Sequence, residues 1–180
     1  MKYISILRGI NVSGQKKVKM ADLKVLYEKQ DFKNVVTYIQ SGNVIFDSEI
    51  EDSEQLITQI EKAIEHKYQF FVPVGLRRNQ ELADIITKCP FDEAQDEGYG
   101  TKIMVTFLNS HPNKKKIDQL LTYVKLPEKL IVSGSHVYIL CPNGYGKSKL
   151  SNTFIEKKLK TSATTRNWKS VNKLFELSLQ

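Results

Sequence analysis

The apolar and polar positions of this chain follow two patterns, the two-residue period of strands and the longer period of amphipathic helices. The predicted elements of the first part are a strand (3–8), a helix (20–30), a hairpin (34–40 and 43–47), a helix that begins after Asp52 and a strand (70–76). Asp52 and Gln55 have the spacing of a capping box at the start of the second helix. The order βαββαβ is the split pattern of ferredoxin-like folds.

The second part of the chain repeats this order. Its predicted elements are a linking helix (79–87), a strand (102–108), a helix near Pro112, a hairpin (129–132 and 136–140), a helix (148–159), a short extended piece and a last helix capped within residues 164–168. The hairpins turn at Ser41-Gly42-Asn43 and Ser133-Gly134-Ser135, where glycine and asparagine tolerate the positive φ of a tight turn. The two halves are therefore related by an offset of roughly 90 to 100 residues.

The sequence thus predicts an α+β protein with duplicated ferredoxin-like (βαββαβ) units, antiparallel sheets and a C-terminal helix. We expect the first unit at 1–77, a linking helix and loop at 78–100, and the second unit with the C-terminal helix at 101–180. In such a unit the first two strands run parallel and the third lies antiparallel between them. Arg8, after the first strand, and the turn at 41–43 should therefore lie at the same end of the sheet, where loops commonly present ligand groups.

The composition is that of a soluble globular chain, with 180 residues of which 41% are hydrophobic and 26% are charged. The apolar run at the N-terminus is too short for a signal peptide, and no later run approaches the ~20 apolar residues of a membrane span. We therefore expect a cytoplasmic protein without a membrane partner. Cys89 and Cys141 have no histidine or cysteine at metal-ligand spacing, and we expect both to be buried free thiols.

The net charge of +7 is concentrated at the two ends of the chain. Residues 1–20 contain five basic residues and no acidic one, and residues 141–180 contain eight basic residues and two acidic ones. If the ends meet in space, they form one field that attracts anions. The alternative interpretation is that these residues form solvated helix faces and loops, which suits Lys157, Lys158 and Lys160.

A first candidate for anion binding is the loop Arg8-Gly9-Ile10-Asn11-Val12-Ser13-Gly14. Backbone amides freed by glycine, together with arginine and the lysines that follow, are groups that bind phosphate or carboxylate oxygens. The glycine spacing does not match the dinucleotide-binding fingerprint. A structural turn is the alternative, and the expected proximity of Ser41 favours a site.

A second candidate is Asn143-Gly144-Tyr145-Gly146-Lys147-Ser148, which stands between a strand and a helix as a phosphate loop does. The motif is not a Walker A loop, because Cys141 occupies the position of its first glycine. A helix N-terminus with Lys147 and Ser148 can still hold an anion through its free amides and its dipole. The alternative is a flexible loop in which Ser148 is only the N-cap.

A third candidate is Thr164-Thr165-Arg166-Asn167-Trp168, which contains the only tryptophan of the chain. Asn167 or Thr165 can cap the last helix, and Trp168 can pack in its first turn. This structural role does not require Arg166. Arg166 is therefore the residue of this motif that we most expect to contact a ligand.

Other chemistry is not indicated. His66, His111 and His136 lie in unrelated elements, without the arrangement of a catalytic triad or the spacing of a metal site. The acidic residues within 92–97 lack the spacing and the glycine of a calcium loop. The stretch 41–48 has asparagine and isoleucine where an RNA-binding sheet needs stacking rings. Both faces of the first strand are apolar, and we expect the second repeat to cover one of them, which also disfavours base stacking.

Ordered motifs spread over essentially the whole chain add a resemblance. They are Leu7-Arg8-Gly9-Ile10-Asn11-Val12, Lys19-Met20, Thr37-Tyr38-Ile39-Gln40-Ser41-Gly42-Asn43-Val44-Ile45-Phe46, Pro90-Phe91, Lys147-Ser148-Lys149-Leu150 and Thr164-Thr165-Arg166-Asn167-Trp168. Together they resemble the bacterial domain-of-unknown-function family 1697. The resemblance implies a compact cytoplasmic protein built on ferredoxin-like α+β units. It implies no activity, catalytic residue, substrate or cofactor.

Our leading hypothesis is a protein that binds a phosphate-bearing or other anionic small ligand in a cleft formed by the two repeats. Arg8 and Arg166 would clamp the anion, and Lys147 with Ser148 would offer a helix-terminus subsite. The remaining candidate ligand-binding residues are Asn11, Ser41 and Asn43, which would orient the anion, with Asn167 and Trp168.

Two alternatives come from other classes of protein. A nucleic-acid-binding protein would use the basic ends as a phosphate track, with a steep dependence on salt. A structural or interaction module would use the motif residues only as caps and turns. No acid, base or nucleophile stands out, so the sequence leaves catalysis open, and it indicates no cofactor, metal or oligomeric state.

Overall fold

The computed structural model describes all residues from Met1 to Gln180 and contains eight strands and six α-helices. The strands are β1 (Lys2–Leu7), β2 (Lys33–Tyr38), β3 (Asn43–Asp47), β4 (Val74–Arg78), β5 (Ile103–Leu108), β6 (Lys129–Ser133), β7 (His136–Leu140) and β8 (Ala163–Asn167). The helices are α1 (Met20–Glu28), α2 (Ser53–Tyr68), α3 (Asn79–Thr87), α4 (Lys114–Leu121), α5 (Asn152–Leu159) and α6 (Trp168–Ser178). None of these helices combines the length and the apolar character that crossing a membrane requires.

The strands form two antiparallel four-stranded sheets with the same topology. The first sheet has the order β2-β3-β1-β4, and the second has the order β6-β7-β5-β8. The chain divides into two compact units, the first consisting of Met1–Ala83 with Leu174–Gln180 and the second of Asp84–Lys173. The prediction of an α+β protein with duplicated βαββαβ units and a C-terminal helix is confirmed.

The first loop and the first hairpin turn meet at one end of the first sheet, as predicted. Where β1 ends, the Leu7 amide donates to the Gly42 carbonyl oxygen at 2.8 Å. The second unit repeats this contact, because the Leu108 amide donates to the Ser135 carbonyl oxygen at 2.8 Å. The two hairpin turns therefore hold equivalent places in the two units.

Helices cover one face of each sheet. In the first unit, Tyr3 and Phe46 pack with buried residues of α1 and α2. The buried core of the second unit includes Met104, Leu108, Leu120, Val137, Ile139, Leu150, Ile155 and Leu159. The other face of the first sheet is also buried, since Ile4, Ile6 and Ile45 are at most 1% exposed. A buried face cannot stack bases, which agrees with the sequence argument against this type of RNA binding.

A buried hydrogen bond lies inside the aromatic core of the first unit. Tyr27 packs edge-on against Phe46 with ring centroids 5.4 Å apart, and Phe32 stacks on Phe46 at 4.4 Å. The Tyr27 hydroxyl lies 2.8 Å from the Ser5 hydroxyl, which also donates to the Val44 carbonyl oxygen at 3.3 Å. Burial raises the pKa of Tyr27 above its ordinary value, and the hydrogen bond with Ser5 opposes this shift only in part.

The first hairpin turn is longer than predicted and comprises residues 39–42. Its positive φ values fall on Ile39, at 49°, and on Gly42, at 78°, whereas Asn43 belongs to β3. The Asn43 side chain donates to the Tyr38 carbonyl oxygen at 2.9 Å. Asn43 therefore closes the turn from within the strand instead of forming part of it.

The predicted start of a helix at Ser148 is wrong. The N-cap of α5 is Ser151, whose hydroxyl accepts a hydrogen bond from the Phe154 amide at 3.3 Å. Ser148 is extended, and its hydroxyl accepts from the Leu150 amide at 3.0 Å. Leu150 is completely buried, so this local turn brings it into the core before the helix begins. Lys147 and Ser148 consequently do not lie at a helix N-terminus.

Two other boundaries differ from the predicted ones. The strand predicted at 70–76 begins only at Val74, directly after Pro73, which has no amide hydrogen to give to a sheet. The helix predicted near Pro112 is capped one residue later by Asn113, whose side chain accepts from the Lys116 amide at 3.0 Å. The missing amide hydrogen of Pro73 therefore fixes the start of β4, and the side-chain cap of Asn113 fixes the start of α4.

Replacing Tyr27 with phenylalanine should lower the free energy of unfolding by about 1 kcal/mol, because Ser5 loses a buried partner while the ring packing is kept. Urea denaturation followed by circular dichroism measures this change. Tyr38→Phe is the matched control in the same unit, because Tyr38 is partly exposed. Equal losses in the two variants would contradict a specific contribution from the buried hydrogen bond.

The raised pKa of Tyr27 predicts a loss of stability in alkaline solution. The unfolded chain ionises its tyrosines near pH ~10, while the folded protein keeps Tyr27 protonated. The unfolded state then binds fewer protons, so the free energy of unfolding falls as the pH rises above about 10. Between about pH 9 and 11, urea midpoints should fall less steeply for Tyr27→Phe than for the natural chain. Parallel pH curves would show that Tyr27 does not contribute.

Candidate functional site

The first candidate loop is a compact coil closed by its own backbone. The Asn11 amide donates to the Lys16 carbonyl oxygen at 3.2 Å, and the Gln15 amide donates to the Val12 carbonyl oxygen at 3.0 Å. The residues with positive φ are Gly9, Asn11, Ser13, Gly14 and Lys16. These left-handed residues turn the chain repeatedly, so the loop folds on itself between β1 and α1.

Asn11 joins this loop to the first hairpin turn. Its side-chain nitrogen donates to the Val18 carbonyl oxygen at 2.9 Å and to the Gln40 carbonyl oxygen at 2.8 Å. Its side-chain oxygen accepts from the Val18 amide at 2.9 Å. Both donor hydrogens of the amide are thus engaged, and we assign Asn11 the role of shaping the loop. Its predicted contact with a ligand stays a prediction.

The hairpin turn packs too closely on β1 to accept a side chain at Gly42. A Cβ atom there would lie 2.5 Å from Ile10 Cδ1 and 2.9 Å from Leu7 Cβ, and the φ of Gly42 is positive. Beside it, Asn43 is completely buried, and its side-chain nitrogen donates to the Ser41 hydroxyl at 3.2 Å. These residues therefore hold the shape of the turn at the end of the sheet.

Arg8 and Lys16 are two of the cationic groups in the loop after β1. Arg8 is partly exposed, and its backbone amide donates to the Pro73 carbonyl oxygen at 2.9 Å, which fixes where its side chain leaves the backbone. The Lys16 ammonium donates to the Phe71 carbonyl oxygen at 2.7 Å and lies 5.9 Å from the centre of the Phe70 ring. Of the predicted residues in this unit, Arg8 is the one with a formal positive charge for an anion.

In the second unit, Lys147 ends a short 3-10 turn and Ser148 follows it in an extended conformation. The Ser148 amide donates to the Tyr145 carbonyl oxygen at 3.0 Å, and the Ser148 hydroxyl is held by the Leu150 amide. The amide and hydroxyl of Ser148 are therefore used within the loop. Lys147 itself is exposed.

Three lysines line one pocket of the second unit. Lys147 and Lys149 come from the loop before α5, and Lys125 comes from the loop between α4 and β6. The other lining residues are Tyr123, Leu126, Pro127, Glu128 and Asn143. The cavity has a volume of about 320 Å³. We call it the lysine pocket, and Lys147 is the predicted site residue that it contains.

The lysine pocket is electropositive. Glu128 is its only carboxylate, and none of the three lysines forms an ion pair within 4.0 Å. Two positive charges therefore remain uncompensated in a concave site, where the field of like charges adds up. Ammonium groups of this kind bind phosphate and carboxylate oxygens through charge-assisted hydrogen bonds.

Both cysteines are free thiols, and Cys141 is buried as expected, whereas Cys89 is only partly buried. Cys141 is 1% exposed, and burial raises its pKa to about 11. Cys89 is partly buried, and burial likewise raises its pKa above the usual value. A thiol reacts as its thiolate, so burial disfavours the reactive form of both groups.

Arg166 has an equivalent in the first unit that sequence reasoning missed. Arg166 lies opposite Val105 in the pairing of β8 with β5, and Arg77 lies opposite Ile4 in the pairing of β4 with β1. Both are 8% exposed, and each donates from Nη1 to the carbonyl oxygen of the preceding residue, at 3.0 and 2.7 Å. Burial lowers the pKa of Arg77. The repetition favours a role of Arg166 in the fold, and its predicted ligand contact stays a prediction.

Asn167 and Trp168 have the structural roles that the sequence offered as the alternative. The Asn167 side-chain oxygen accepts from the Ser170 amide at 2.8 Å, which caps α6. Trp168 is 7% exposed, and its indole nitrogen donates to the Ala94 carbonyl oxygen at 3.2 Å. The Trp168 ring also lines a pocket of about 470 Å³ with the acidic Asp96 among its other residues.

Two carboxylates of the acidic loop, residues 92–97, already interact with other groups of the second unit. The Glu93 carboxylate pairs with Lys129 at 3.1 Å, and the Asp96 carboxylate accepts from the Gly98 amide at 2.8 Å. No group of three or more histidine, cysteine, aspartate or glutamate side chains is arranged to hold a metal ion. The loop therefore presents no assembled cation site.

Sequence reasoning found Lys147 but missed Lys125 and Lys149 as its neighbours. Lys149 could have been noticed, because it stands two residues from Lys147 in an irregular segment. Lys125 carried no signal, because its proximity depends on how two loops of the second unit fold. Arg77 could have been found by aligning the two repeats at their last strands.

Replacing Asn11 with glycine should lower the free energy of unfolding by about 1–3 kcal/mol, because three hydrogen bonds are lost while the positive φ is still tolerated. Ser13→Gly is the control in the same loop, since Ser13 is exposed and also has a positive φ. Urea denaturation compares the two variants. Unchanged stability in Asn11→Gly would show that Asn11 does not hold the loop and would favour its predicted role as a ligand contact.

Comparison with known proteins bears on the family and the fold. The model of the family described as "Protein of unknown function (DUF1697)" matches residues 1–138. A solved structure of a conserved bacterial protein from Streptococcus pneumoniae is similar over 98% of each chain, with 22% identity and a TM-score of 0.77, which shows a shared fold. No functionally curated protein matches the sequence. Because the family model covers well over half of the residues, the chain belongs to the DUF1697 family.

Proposed function

We propose that this protein binds a small anionic ligand, one that carries a phosphate group, at the lysine pocket. The observation that carries the proposal is the convergence of Lys125, Lys147 and Lys149 on one cavity with a single carboxylate, Glu128. A phosphate ester carries nearly two negative charges at neutral pH and three acceptor oxygens. Three lysine donors match that charge and that number of oxygens.

The size of the cavity also supports the proposal. Small-molecule sites in proteins occupy roughly 300–1,000 Å³, and the lysine pocket, at about 320 Å³, lies at the small end of that range. Lys125, Lys147 and Lys149 all line this one small cavity. Ser148, which lies between Lys147 and Lys149, is held in place by hydrogen bonds of its amide and of its hydroxyl.

The other cavities suit an anion less well. One of about 550 Å³, in the first unit, contains Asp31, Asp47 and Glu49 against Lys33 and the chain terminus. Acidic groups there repel a phosphate. A cavity of about 380 Å³ between α1 and α2 contains two lysines, but one of them, Lys67, already donates to a backbone carbonyl oxygen at 2.9 Å.

The triple variant Lys125→Gln, Lys147→Gln and Lys149→Gln should weaken binding of inorganic phosphate about tenfold or more, because Coulomb attraction to each nearby ammonium contributes on the order of 1 kcal/mol. Phosphate titrations followed by amide NMR shifts measure affinity and location together. In the natural chain the shifts should concentrate at residues 123–128 and 143–149. Shifts spread over both basic ends of the chain would contradict a pocket.

The matched control removes three lysines outside the pocket, Lys114, Lys115 and Lys157, which are all exposed. This variant has the same net charge as the triple pocket variant, so an unspecific charge effect would weaken phosphate binding equally in both. Titration with phosphate and with single-stranded RNA at two salt concentrations distinguishes the proposed pocket from the nucleic-acid alternative. Tight binding of single-stranded RNA that collapses as salt rises, without saturable binding of phosphate, would favour a phosphate track over the proposed pocket.

A further inference from the structure

One wall of the lysine pocket is apolar. Tyr123, Leu126 and Pro127 line it, on the segment that leads from α4 to β6. Leu126 is 91% exposed, the highest value among the large exposed hydrophobic residues of the chain, and Tyr123 is 38% exposed. A single exposed leucine needs no explanation, but three adjacent apolar groups beside three lysines form one surface with two kinds of chemistry.

The aromatic ring of this wall is held in position. The Lys158 ammonium donates to the Tyr123 hydroxyl at 2.6 Å and lies 4.0 Å from the ring centre. Phe154 packs edge-on against the same ring, with centroids 5.2 Å apart. Tyr123 is thus fixed by two residues of α5 before any ligand arrives, so little side-chain entropy is lost when a second ring contacts it.

The two kinds of chemistry define the ligand. The lysines attract the phosphate, and the apolar wall next to them offers a contact surface to the group that the phosphate carries. We infer that the ligand is a phosphate monoester that carries an aromatic ring, bound with its phosphate at Lys125, Lys147 and Lys149 and its ring against Tyr123 and Leu126. This inference rests on the proposed function of the same pocket.

Phosphates without a ring make poorer use of this wall. A sugar phosphate brings hydroxyl groups against Leu126 and Pro127, where they lose water and find no apolar match. Inorganic phosphate carries no group that could contact the apolar wall. A nucleoside monophosphate and a simple aryl phosphate both supply a flat ring, and they differ in the ribose that joins ring and phosphate.

Four probes compared at one ionic strength test the inference: inorganic phosphate, glucose 6-phosphate, phenyl phosphate and adenosine 5′-monophosphate. At pH ~8 the second ionisation of the three phosphate esters, near pH 6, is complete and that of inorganic phosphate is nearly so, so the probes carry similar charge. Phenyl phosphate and adenosine monophosphate should each bind about tenfold tighter than the other two, since stacking of one base on one aromatic side chain has about this effect or more. Tighter binding of the nucleotide alone would identify a nucleotide as the source of the ring.

Substitutions in the wall locate the effect. Tyr123→Ala and Leu126→Ser should each reduce the ratio of phenyl phosphate affinity to inorganic phosphate affinity towards one. Using this ratio cancels any change in the charge environment of Lys158. Leu179→Ser is the control, because Leu179 is 65% exposed and does not line the pocket. Leu126 is so exposed that its replacement leaves the fold intact.

The outcomes separate this inference from the proposed function. Equal affinities for inorganic phosphate, phenyl phosphate and adenosine 5′-monophosphate in the natural chain would overturn the aromatic ligand and leave the anion pocket standing. Absence of binding for all four probes would overturn both. A preference for aromatic phosphates that survives Tyr123→Ala and Leu126→Ser would overturn the assignment of the ring to this wall.

Discussion

The contact between β1 and the first hairpin turn sets the geometry of one end of the first unit. The Leu7 amide bonds to the Gly42 carbonyl oxygen, and the backbones approach so closely that a Cβ on Gly42 would lie 2.9 Å from Leu7 Cβ. Only glycine satisfies both this distance and the positive φ. Asn11 then ties the first loop to the same turn through the Gln40 carbonyl oxygen. The position of Arg8 between these two segments follows from the contact.

The second unit repeats the backbone contact but not the steric requirement. The Leu108 amide bonds to the Ser135 carbonyl oxygen, as expected from the same sheet topology. A Cβ on Gly134 would meet only His111, at 3.7 Å, which is ordinary contact. The hydrogen bond is therefore a property of the βαββαβ topology, whereas the steric need for glycine in the first unit comes from Ile10 and Leu7, which pack against the turn.

The two units use their loops differently. In the first unit, the Asn11 and Gln15 amides of the loop after β1 bond within the loop, which also contains the cationic Arg8 and Lys16. In the second unit, three lysines line one pocket, and two of them, Lys125 and Lys147, come from loops separated by the β6–β7 hairpin. Loops carried by a rigid sheet can bring such groups together without disturbing the core. The functional proposal accordingly depends on the second unit.

The sequence by itself determined the elements, their order and the duplication, because strand and helix periodicity and turn residues are local properties. The capping of α2 by Asp52 is one example, since its carboxylate accepts from the Glu54 and Gln55 amides. The tertiary structure decided where α5 begins, because the burial of Leu150 overrides the helix signal at Ser148. The tertiary structure alone decided that Lys125 lines the same pocket as Lys147. The β6–β7 hairpin separates the two residues in the sequence, and no local sequence pattern predicts a contact over that distance.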